Sequence, residues 1–332
     1  MIDIAAVGEI VIDFTPISNA KNGNLRYEAQ PGGAPSNLLA EATLLGASTQ
    51  LIGVVGNDPL GEFLCKIAER YGFGGAGLKK IDTRPTPFTL VSFDASGDRS
   101  FYSVQTESAL HAFEPEMINK EILQQARAIH LAGSLLGMEN GRRIFDQVKS
   151  FAIAQGKLVN CDVNWRPGSY QQSEARKYIL PHLRGLDLLK VSFEEMRMLT
   201  DVDDVEIGSQ ALMDEGIRLI CITMGEDGCY FRYKNGDGYV PAYHVEVVDT
   251  NAAGDVFTAA VLVSLLKQNC DISQIDFSKM HEIMSIANAA SGICVSRKGA
   301  IYAAPTLEDV QSFLSNVGVS DKTIHGTIGG VQ

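Results

Sequence analysis

Residues 249–255, with the sequence DTNAAGD, place two carboxylates and three small residues directly before a strongly apolar stretch. That stretch predicts a helix, and the backbone N–H groups and dipole at a helix start attract anions. The small residues would let a phosphate approach the backbone, and Asp255 in the first turn could accept a proton from an attacking hydroxyl. Capping of the helix by Asn251 or Asp255, without chemistry, is the alternative interpretation.

Two further glycine-containing segments could contribute to a ligand site. Residues 32–37 (GGAPSN) open a predicted helix, and Asn37 offers an amide to a polyhydroxy ligand; a tight loop is the alternative. Residues 223–228 (TMGEDG) join two predicted strands and can form either a hairpin turn or a nucleotide-binding loop. The G-x-G-x-x-G pattern at 72–77 follows a predicted helix and precedes a strand, so it predicts a helix-terminating turn rather than NAD binding.

The composition narrows the classes of function. The 332 residues are 45% hydrophobic and 20% charged, as expected of a folded globular protein. A net charge of −12 and the lack of long basic runs argue against nucleic-acid binding. The six cysteines are scattered without a C-x-x-C pair, which predicts reduced thiols and no zinc site. No apolar stretch is long enough to cross a bilayer, and acidic residues stand where a secretory signal would be basic, so we expect a cytoplasmic protein without a membrane span.

Short β-like runs alternate with longer segments of 3.6-residue periodicity through most of the chain. This alternation predicts an α/β fold with a doubly wound, mainly parallel sheet flanked by helices. Predicted strands span residues 4–7, 49–55, 128–131, 158–162, 186–191, 219–223 and 229–233. Predicted helices span residues 35–45, 61–71, 115–126, 139–154, 174–183, 208–215, 254–267 and 281–295.

Two regions depart from this alternation of strands and helices. Residues 88–93 and 100–104 are β-rich and flank a turn-forming sequence, which predicts a hairpin whose turn lies at 95–98. Residues 12–27 contain further β-prone pieces. Such strands predict a small β-strand appendage, which is either a lid over a ligand site or an edge hairpin. Because no linker or repeat divides the chain, we expect a single domain covering 1–332, with the lid inserted from about 12–30 and 84–106.

The order and separation of these motifs resemble the ribokinase-like, PfkB-type carbohydrate kinases. The double-glycine segment, the T-x-G-x-x-G turn and the D-T-x-x-A-G-D helix start follow one another as they do in that family, and the resemblance extends over residues 7–304. Within the family, residues 7–9 leading to Asp13, residues 32–35 (GGAP) and residues 189–195 (LKVSFEE) are typical of bacterial fructokinases. The hairpin segment would then be the family's sugar-covering lid.

The resemblance implies a role for each matched position. Asp255 matches the catalytic base, and the anion hole around the transferred phosphoryl group matches Ala252, Ala253 and Gly254. Contacts with the sugar are implied for Asp13, Gly32, Gly33, Asn37, Arg99 on the lid and Arg166. Contacts with ATP are implied for Lys190, Ser192, Thr223, Gly225, Gly228 and Asn288. Glu195 matches a residue that orients magnesium-bound water, and the monovalent-cation positions are Asp249, Asn251, Cys294, Arg297 and Gly299.

Two positions depart from the common family pattern. Ala252 stands where glycine is frequent, although ribokinases also have alanine there. Ser192 replaces the asparagine of the N-x-x-E magnesium motif, a substitution that fructokinase-like sequences share. The second departure favours the fructokinase subfamily.

The activity implied by the resemblance is ATP-dependent phosphorylation of a small sugar, with fructose as substrate and fructose 6-phosphate as product. Mg²⁺ and K⁺ are the implied ions, and a homodimer formed through the lid strands is the implied assembly. A 2-keto-3-deoxygluconate kinase or a ribokinase is the alternative within the class. A non-catalytic regulatory homologue that binds sugar or nucleotide is the alternative from another class, but retention of Asp255 and both ATP-loop glycines argues against it.

Overall fold

The computed structural model describes residues 1–17, 22–93, 99–103, 108–165 and 172–317. Strands and helices alternate through these ranges. The strands are β1 (Ile2–Val7), β2 (Val11–Pro16), β3 (Tyr27–Gly32), β4 (Thr49–Gly56), β5 (Leu78–Ile81), β6 (Phe88–Phe93), β7 (Arg99–Ser103), β8 (Ala126–Ala132), β9 (Leu158–Asp162), β10 (Leu188–Ser192), β11 (Leu219–Thr223), β12 (Cys229–Tyr233) and β13 (Gly236–Val240). The helices are α1 (Ala34–Leu44), α2 (Pro59–Arg70), α3 (Lys120–Gln125), α4 (Glu139–Ala154), α5 (Gln172–Leu183), α6 (Phe193–Thr200), α7 (Val205–Asp214), α8 (Ala253–Gln268), α9 (Phe277–Val295) and α10 (Leu307–Val317).

The main sheet of the described residues has nine strands in the order β13, β12, β11, β10, β9, β8, β1, β4, β5. Neighbouring strands from β11 to β5 run parallel, whereas β12 and β13 are antiparallel additions at one edge. Later strands are added on both sides of β1, with β4 and β5 on one side and β8 to β13 on the other, as in doubly wound folds. The predicted fold class is confirmed.

Two apolar cores cover the two faces of this sheet. Alternation along β1 divides its residues, since Ile4 and Ala6 face one core and Ala5 and Val7 face the other. The first core joins the sheet to α1, α2, α8 and α9, and the second joins it to α3 to α7. The helix α8 is apolar on nearly all sides and almost entirely buried, so its position is strongly constrained by packing. Among the described residues, no helix combines the length and the apolar composition that a bilayer crossing requires.

A second, four-stranded sheet has the order β3, β2, β6, β7. The strands β6 and β7 pair antiparallel, which confirms the predicted hairpin, while its turn at 95–98 lies outside the described residues. The strand β3 leads directly into α1 through Gly32 and Gly33. This small sheet therefore adjoins the start of α1, and its strands β6 and β7 lie within the segment 84–106 that was predicted as part of the lid.

The predicted helix at 115–126 is wrong in its extent. A 3₁₀ turn covers Pro115–Met117, the backbone at Ile118 is extended, and α3 starts only at Lys120. The Asn119 side chain accepts hydrogen bonds from the amides of Glu121 and Ile122, so it caps a new helix instead of continuing the old one.

Candidate active site

Polar side chains lie at the carboxyl ends of the parallel strands. Asp162 ends β9, Ser192 ends β10 and Thr223 ends β11. Ligands of open α/β sheets bind at this edge, near the strand where the order reverses. That strand here is β1, between β8 and β4.

The helix α8 starts at this edge in a strained conformation. Its N-cap residue, Ala252, has a φ of 62°, in the left-handed region that alanine rarely adopts. The Ala252 amide donates to the Asn251 side chain at 3.1 Å, so this amide of the predicted anion hole already has a partner. Among the described residues, the Gly254 amide has none, as is usual for N–H groups in a first helical turn.

Two amides from distant segments hold the Asp255 carboxylate. Asn37 Nδ2 in α1 donates to Oδ2 at 2.8 Å, and Asn164 Nδ2 lies 3.5 Å from Oδ1. Asp255 is 6% exposed and Asn37 is 5% exposed, so water competes little for these bonds. The Asn37 Oδ1 atom is buried with no hydrogen-bond partner among the described residues. Amides on two sides thus orient the Asp255 carboxylate. The nearby Asn37 Oδ1 atom remains an acceptor without a partner among the described residues.

A buried ion pair lies beneath the first turn of α8. Lys190 Nζ is 3.1 Å from Asp162 Oδ2, and a Cβ built on Gly254 would lie only 2.6 Å from the same ammonium. The Thr258 hydroxyl lies 2.8 Å from the Gly254 carbonyl oxygen and 3.4 Å from Asp162 Oδ2. Burial lowers the pKa of Lys190, but the carboxylates of Asp162 and Glu195 raise it by more, so its pKa is above the usual range and the ammonium stays charged.

Ser192 and Glu195 form a capping box at the start of α6. The Glu195 amide donates to Ser192 Oγ at 3.2 Å, and the Ser192 amide donates to Glu195 Oε2 at 2.7 Å. Glu195 Oε1 accepts from the Trp165 amide at 2.7 Å, which ties the segment after β9 to α6. Burial raises the pKa of Glu195, although Lys190 opposes the shift.

The predicted sugar-binding residues lie around the start of α1. Gly33 has a φ of 102°, and a Cβ there would come within 2.9 Å of the Glu9 carbonyl oxygen, so glycine is required. A Cβ on Gly32 would overlap the carboxylate of Asp13 in β2. Arg99 is the first residue of β7 in the same small sheet. Arg166 lies outside the described residues.

The predicted ATP-binding turn at 223–228 connects β11 to the antiparallel β12. Gly225 faces open space, whereas a Cβ on Gly228 would collide with the Val240 carbonyl oxygen. Asn288 in α9 donates to the carbonyl oxygens of Val240 and Pro241 at 2.9 and 3.0 Å. The Asn288 amide nitrogen is thus committed to holding the segment that follows β13.

The predicted cation residues meet in one place, which we call the cation loop: residues 249–251 and 294–299. Asp249 joins its two parts, since its Oδ1 accepts from the Asn251 amide at 2.9 Å and its Oδ2 accepts from the Gly299 amide at 3.0 Å. Cys294 Sγ is 3.7 Å from the Asn251 carbonyl oxygen. The Arg297 side chain leaves the loop and donates to Asp309 in α10 at 3.1 Å.

Comparison with known proteins identifies the family. The model of the family described as "pfkB family carbohydrate kinase" matches residues 1–307. The chain belongs to the pfkB family of carbohydrate kinases. The resemblance predicted from the motifs is therefore confirmed, and the chain is a carbohydrate kinase.

Individual relatives of this pfkB kinase match along nearly their whole length. A probable fructokinase-4 of Arabidopsis thaliana is 31% identical over 315 residues, which cover 94% of this chain and 96% of the relative. The crystal structure of a fructokinase from Xylella fastidiosa with bound ATP has a TM-score of 0.88 and 25% identity, covering 95% of this chain and 99% of that one. A putative ribokinase II from E. coli shares the fold, with a TM-score of 0.84 and 22% identity over 95% of this chain and 100% of that one.

Three polar residues of this pfkB kinase site escaped the sequence interpretation. The motifs assigned no role to Asp162 or Asn164, yet these side chains contact Lys190 and Asp255. Thr258 looked like one polar residue in an apolar helix. Its position one turn after Gly254 could have indicated a place in the site, because residues four apart lie on the same face of a helix.

Proposed function

We propose that this carbohydrate kinase transfers the γ-phosphoryl group of ATP to fructose, yielding fructose 6-phosphate. The observation that carries the proposal is the Asp255 carboxylate, held by Asn37 and Asn164 at the start of α8. The similarity to a probable fructokinase and to an ATP-bound fructokinase supports the choice of fructose and ATP.

Asp255 is the proposed general base. Its oriented carboxylate would accept the proton of the sugar's C6 hydroxyl as that oxygen attacks the γ-phosphorus and the bond to the leaving ADP oxygen breaks. The Lys190 ammonium lies close to Gly254 at the helix start, where it and the Gly254 amide would stabilise the negative charge on the transferred group. General-base catalysis of this kind contributes about 10²–10⁴ in rate.

The remaining predicted residues would place the two substrates. We assign Asp13, Gly32, Gly33, Asn37, Arg99 and Arg166 to the sugar side, and Lys190, Ser192, Thr223, Gly225, Gly228 and Asn288 to the ATP side. Magnesium supplied with ATP would offset the negative charge of the phosphates. Glu195 would orient water that accompanies this magnesium. Its two oxygens accept hydrogen bonds from the backbone amides of Ser192 and Trp165.

We further propose that the cation loop binds potassium beside the anion hole. The loop contributes backbone carbonyls, which are the usual K⁺ ligands, and Asp249 holds its two parts together. Turnover should then be faster in KCl than in NaCl or tetramethylammonium chloride at equal ionic strength. Equal rates in all three salts would contradict the potassium site but not the kinase activity.

A coupled assay of ADP release against a panel of sugars tests the substrate. We expect the highest kcat/KM for fructose, because Asp13 and Asn37 suit neutral hydroxyl groups and a carboxylate at Asp13 would repel an acid sugar. A higher kcat/KM for 2-keto-3-deoxygluconate would replace fructose and point to Arg99 or Arg166 as the partner of its carboxylate. A higher value for ribose would make the protein a ribokinase, and no turnover with any sugar would favour a regulatory homologue.

We also propose a homodimer formed through the lid strands. Tyr27 begins β3, and Ile17 and Leu25 lie just outside β2 and β3; all three are exposed apolar residues that a second copy could cover. Light scattering should give about twice the chain mass, and Leu25→Glu combined with Tyr27→Glu should give the monomer. A monomeric wild type would exclude the dimer.

A further inference from the structure

Asp58, the residue before α2, binds a distant segment of the chain as well as its own helix. As the N-cap residue of α2, it accepts a hydrogen bond on Oδ1 from the Gly61 amide at 2.8 Å. The same Oδ1 accepts from the Thr86 hydroxyl at 2.8 Å, and Oδ2 accepts from the Thr86 amide at 2.8 Å. Two of these three hydrogen bonds hold Thr86, which capping of α2 does not require.

Thr86 is enclosed by this contact. It is 1% exposed, and its hydroxyl also accepts from the Gly56 amide at 3.0 Å, at the end of β4. A Cβ on Gly56 would lie 2.4 Å from Asp58 Oδ2, and a Cβ on Gly61 would lie 2.8 Å from Thr86 Oγ1. The close approach of residues 58 and 86 therefore needs glycine at both positions. We call Gly56, Asp58, Gly61 and Thr86 the clasp.

The clasp lies where the chain enters the small sheet. Thr86 stands directly before β6, between Pro85 and Pro87, whose rings restrict the backbone on either side. The Pro87 carbonyl oxygen accepts from the Ile12 amide in β2 at 3.1 Å, and the Pro85 carbonyl oxygen accepts from the Ala109 amide at 2.8 Å. Because Ala109 follows β7 in the chain, both β2 and the segment after β7 are bonded to the prolines that flank Thr86.

These contacts connect the clasp to a proposed sugar-binding residue. Asp13 follows the β2 residue that bonds to Pro87, and it lies opposite Thr89 where β2 and β6 run parallel. Since β6 continues directly from Pro87, the position of Thr86 sets the position of β2 on the main sheet. Displacement of Thr86 would therefore move Asp13 relative to α8, which packs in the first core of the main sheet.

We propose that Asp58 is a positioning residue for sugar binding: through Thr86 it holds the base of the small sheet on the main sheet and so fixes the place of Asp13. The inference rests on the proposed function only for the contact between Asp13 and the sugar. It predicts a loss of sugar affinity without a loss in the chemical step, because Asp255 lies on an element outside the clasp. Capping of α2 alone would affect stability but not the sugar.

Paired variants separate positioning from capping. Asp58→Ala removes both roles, whereas Asp204→Ala removes the N-cap of α7, whose side chain accepts from the amides of Glu206 and Ile207 in its own helix at 2.9 Å each. Thr86→Val keeps the side-chain shape without the hydroxyl, and Thr86→Ser keeps the hydroxyl. Steady-state kinetics give kcat and the KM values for fructose and MgATP. Amide hydrogen exchange of the free enzyme reports on β2 and β6 without any substrate.

We expect the KM for fructose to rise at least about tenfold in Asp58→Ala and Thr86→Val, a difference of 1.4 kcal/mol, with kcat and the KM for MgATP within about twofold of the wild type. Amide exchange in β2 and β6 should be faster in both variants. Thr86→Ser should resemble the wild type in both measurements. In Asp204→Ala, faster exchange should be confined to α7, and the KM for fructose should not change.

An unchanged KM for the sugar in Asp58→Ala, or unchanged exchange of β2 and β6, would overturn the inference and leave Asp58 as a helix-capping residue. Turnover of another sugar in place of fructose would contradict the proposed substrate alone, and the KM is then measured with that sugar. Because the exchange measurement needs no substrate, it decides whether the clasp holds the small sheet even if the wild type phosphorylates no sugar.

Discussion

The side-chain amide of Asn37 donates a 2.8 Å hydrogen bond to Asp255, although 218 positions separate the two residues. The bond joins the first turn of α1 to the first turn of α8. One of these helices follows the small sheet, and the other begins at the proposed anion hole. The orientation of the Asp255 carboxylate therefore depends on α1, the helix around whose start the proposed sugar-binding residues lie.

Replacement of either residue should lower turnover, by different amounts. Asp255→Asn removes the proton acceptor and should reduce kcat by about 10²–10⁴. Asn37→Ala leaves the base but removes one of the amides that hold it, so we expect a smaller loss in kcat and a higher KM for the sugar. Steady-state kinetics with varied sugar and varied ATP measure both effects.

The fluorescence of Trp165 supplies the binding control for these variants. Its amide contacts Glu195, and it follows Asn164, so MgATP binding should alter its emission. Affinity for MgATP should stay within a few fold in Asp255→Asn. If that variant kept more than about a tenth of the wild-type kcat, Asp255 would be a helix-capping residue and not the base.

Gly254→Ala should separate stability from activity. Alanine is favoured over glycine inside a helix by about 1 kcal/mol, which offsets a small shift of Lys190, so the melting temperature should change little while Lys190 stays paired with Asp162. The new Cβ would lie 2.6 Å from Lys190 Nζ, which must move because it is the flexible end of its side chain. A displaced ammonium stabilises the transferred phosphoryl group less, and we expect kcat to fall at least about tenfold.

Gly292→Ala in α9 is the matched control for that substitution. A Cβ there would meet Val245 and Tyr243 at ordinary contact distances of 3.8 and 4.0 Å. Its kcat should remain within about twofold of the wild type. A fully active Gly254→Ala variant would show that the position of Lys190 is unimportant for phosphoryl transfer.

The Lys190–Asp162 pair should show strong coupling in a double-mutant cycle. Either Lys190→Met or Asp162→Asn leaves the other charge buried and should lower the free energy of unfolding by about 3–5 kcal/mol. The double variant should lose less than the sum of the two, because the charges of Lys190 and Asp162 are removed together. Urea denaturation measures all four proteins.

Activity then distinguishes a catalytic lysine from a structural one. If Lys190 stabilises the transferred phosphoryl group, the double variant should recover stability but remain nearly inactive. Recovery of both stability and kcat would reduce the pair to a structural role. Additive losses of stability would show that the two charges are not coupled.

The sequence predicted the sheet well because its signals are local. Short continuous apolar runs predicted β1, β8, β9 and β11 to within a few residues, because each of these strands buries both of its faces. The helix α6 was missed because Ser192 and Glu195 were interpreted only as a metal motif, although the same spacing forms a capping box. A single residue pair can serve both purposes, and spacing alone does not choose between them.

The candidate site was less predictable, because its contacts join distant segments. Family resemblance brought Asp255 and Asn37 into one site, but only the packing of α1 on α8 shows that their side chains touch. Glu41 looked like an ordinary polar position in a helix, and its burial depends on three-dimensional neighbours. Buried charges are visible only when the packing is known.

The buried histidine at position 130 should make stability depend on pH. His130 lies in β8 and contacts Asn160, and burial lowers its pKa from the usual 6.5 more than Asn160 and Asp162 raise it. Between 6.5 and the lower pKa of the folded state, the unfolded chain binds a proton that the folded chain does not. The free energy of unfolding should therefore fall as the pH falls through this window, by up to about 1.4 kcal/mol per pH unit.

His130→Gln should remove this contribution. Urea denaturation at pH 7.5, 6.5 and 5.5 should show a smaller loss of stability at low pH in this variant than in the wild type, whatever its absolute stability. His244→Gln, at an exposed position, controls for the loss of an imidazole. Other groups titrate identically in all three proteins. The difference between them in the slope of the free energy of unfolding against pH therefore reports on residue 130 alone. Equal slopes for His130→Gln and the wild type would mean that the imidazole takes up its proton inside the folded protein, against the cost of burying a charge between two strands.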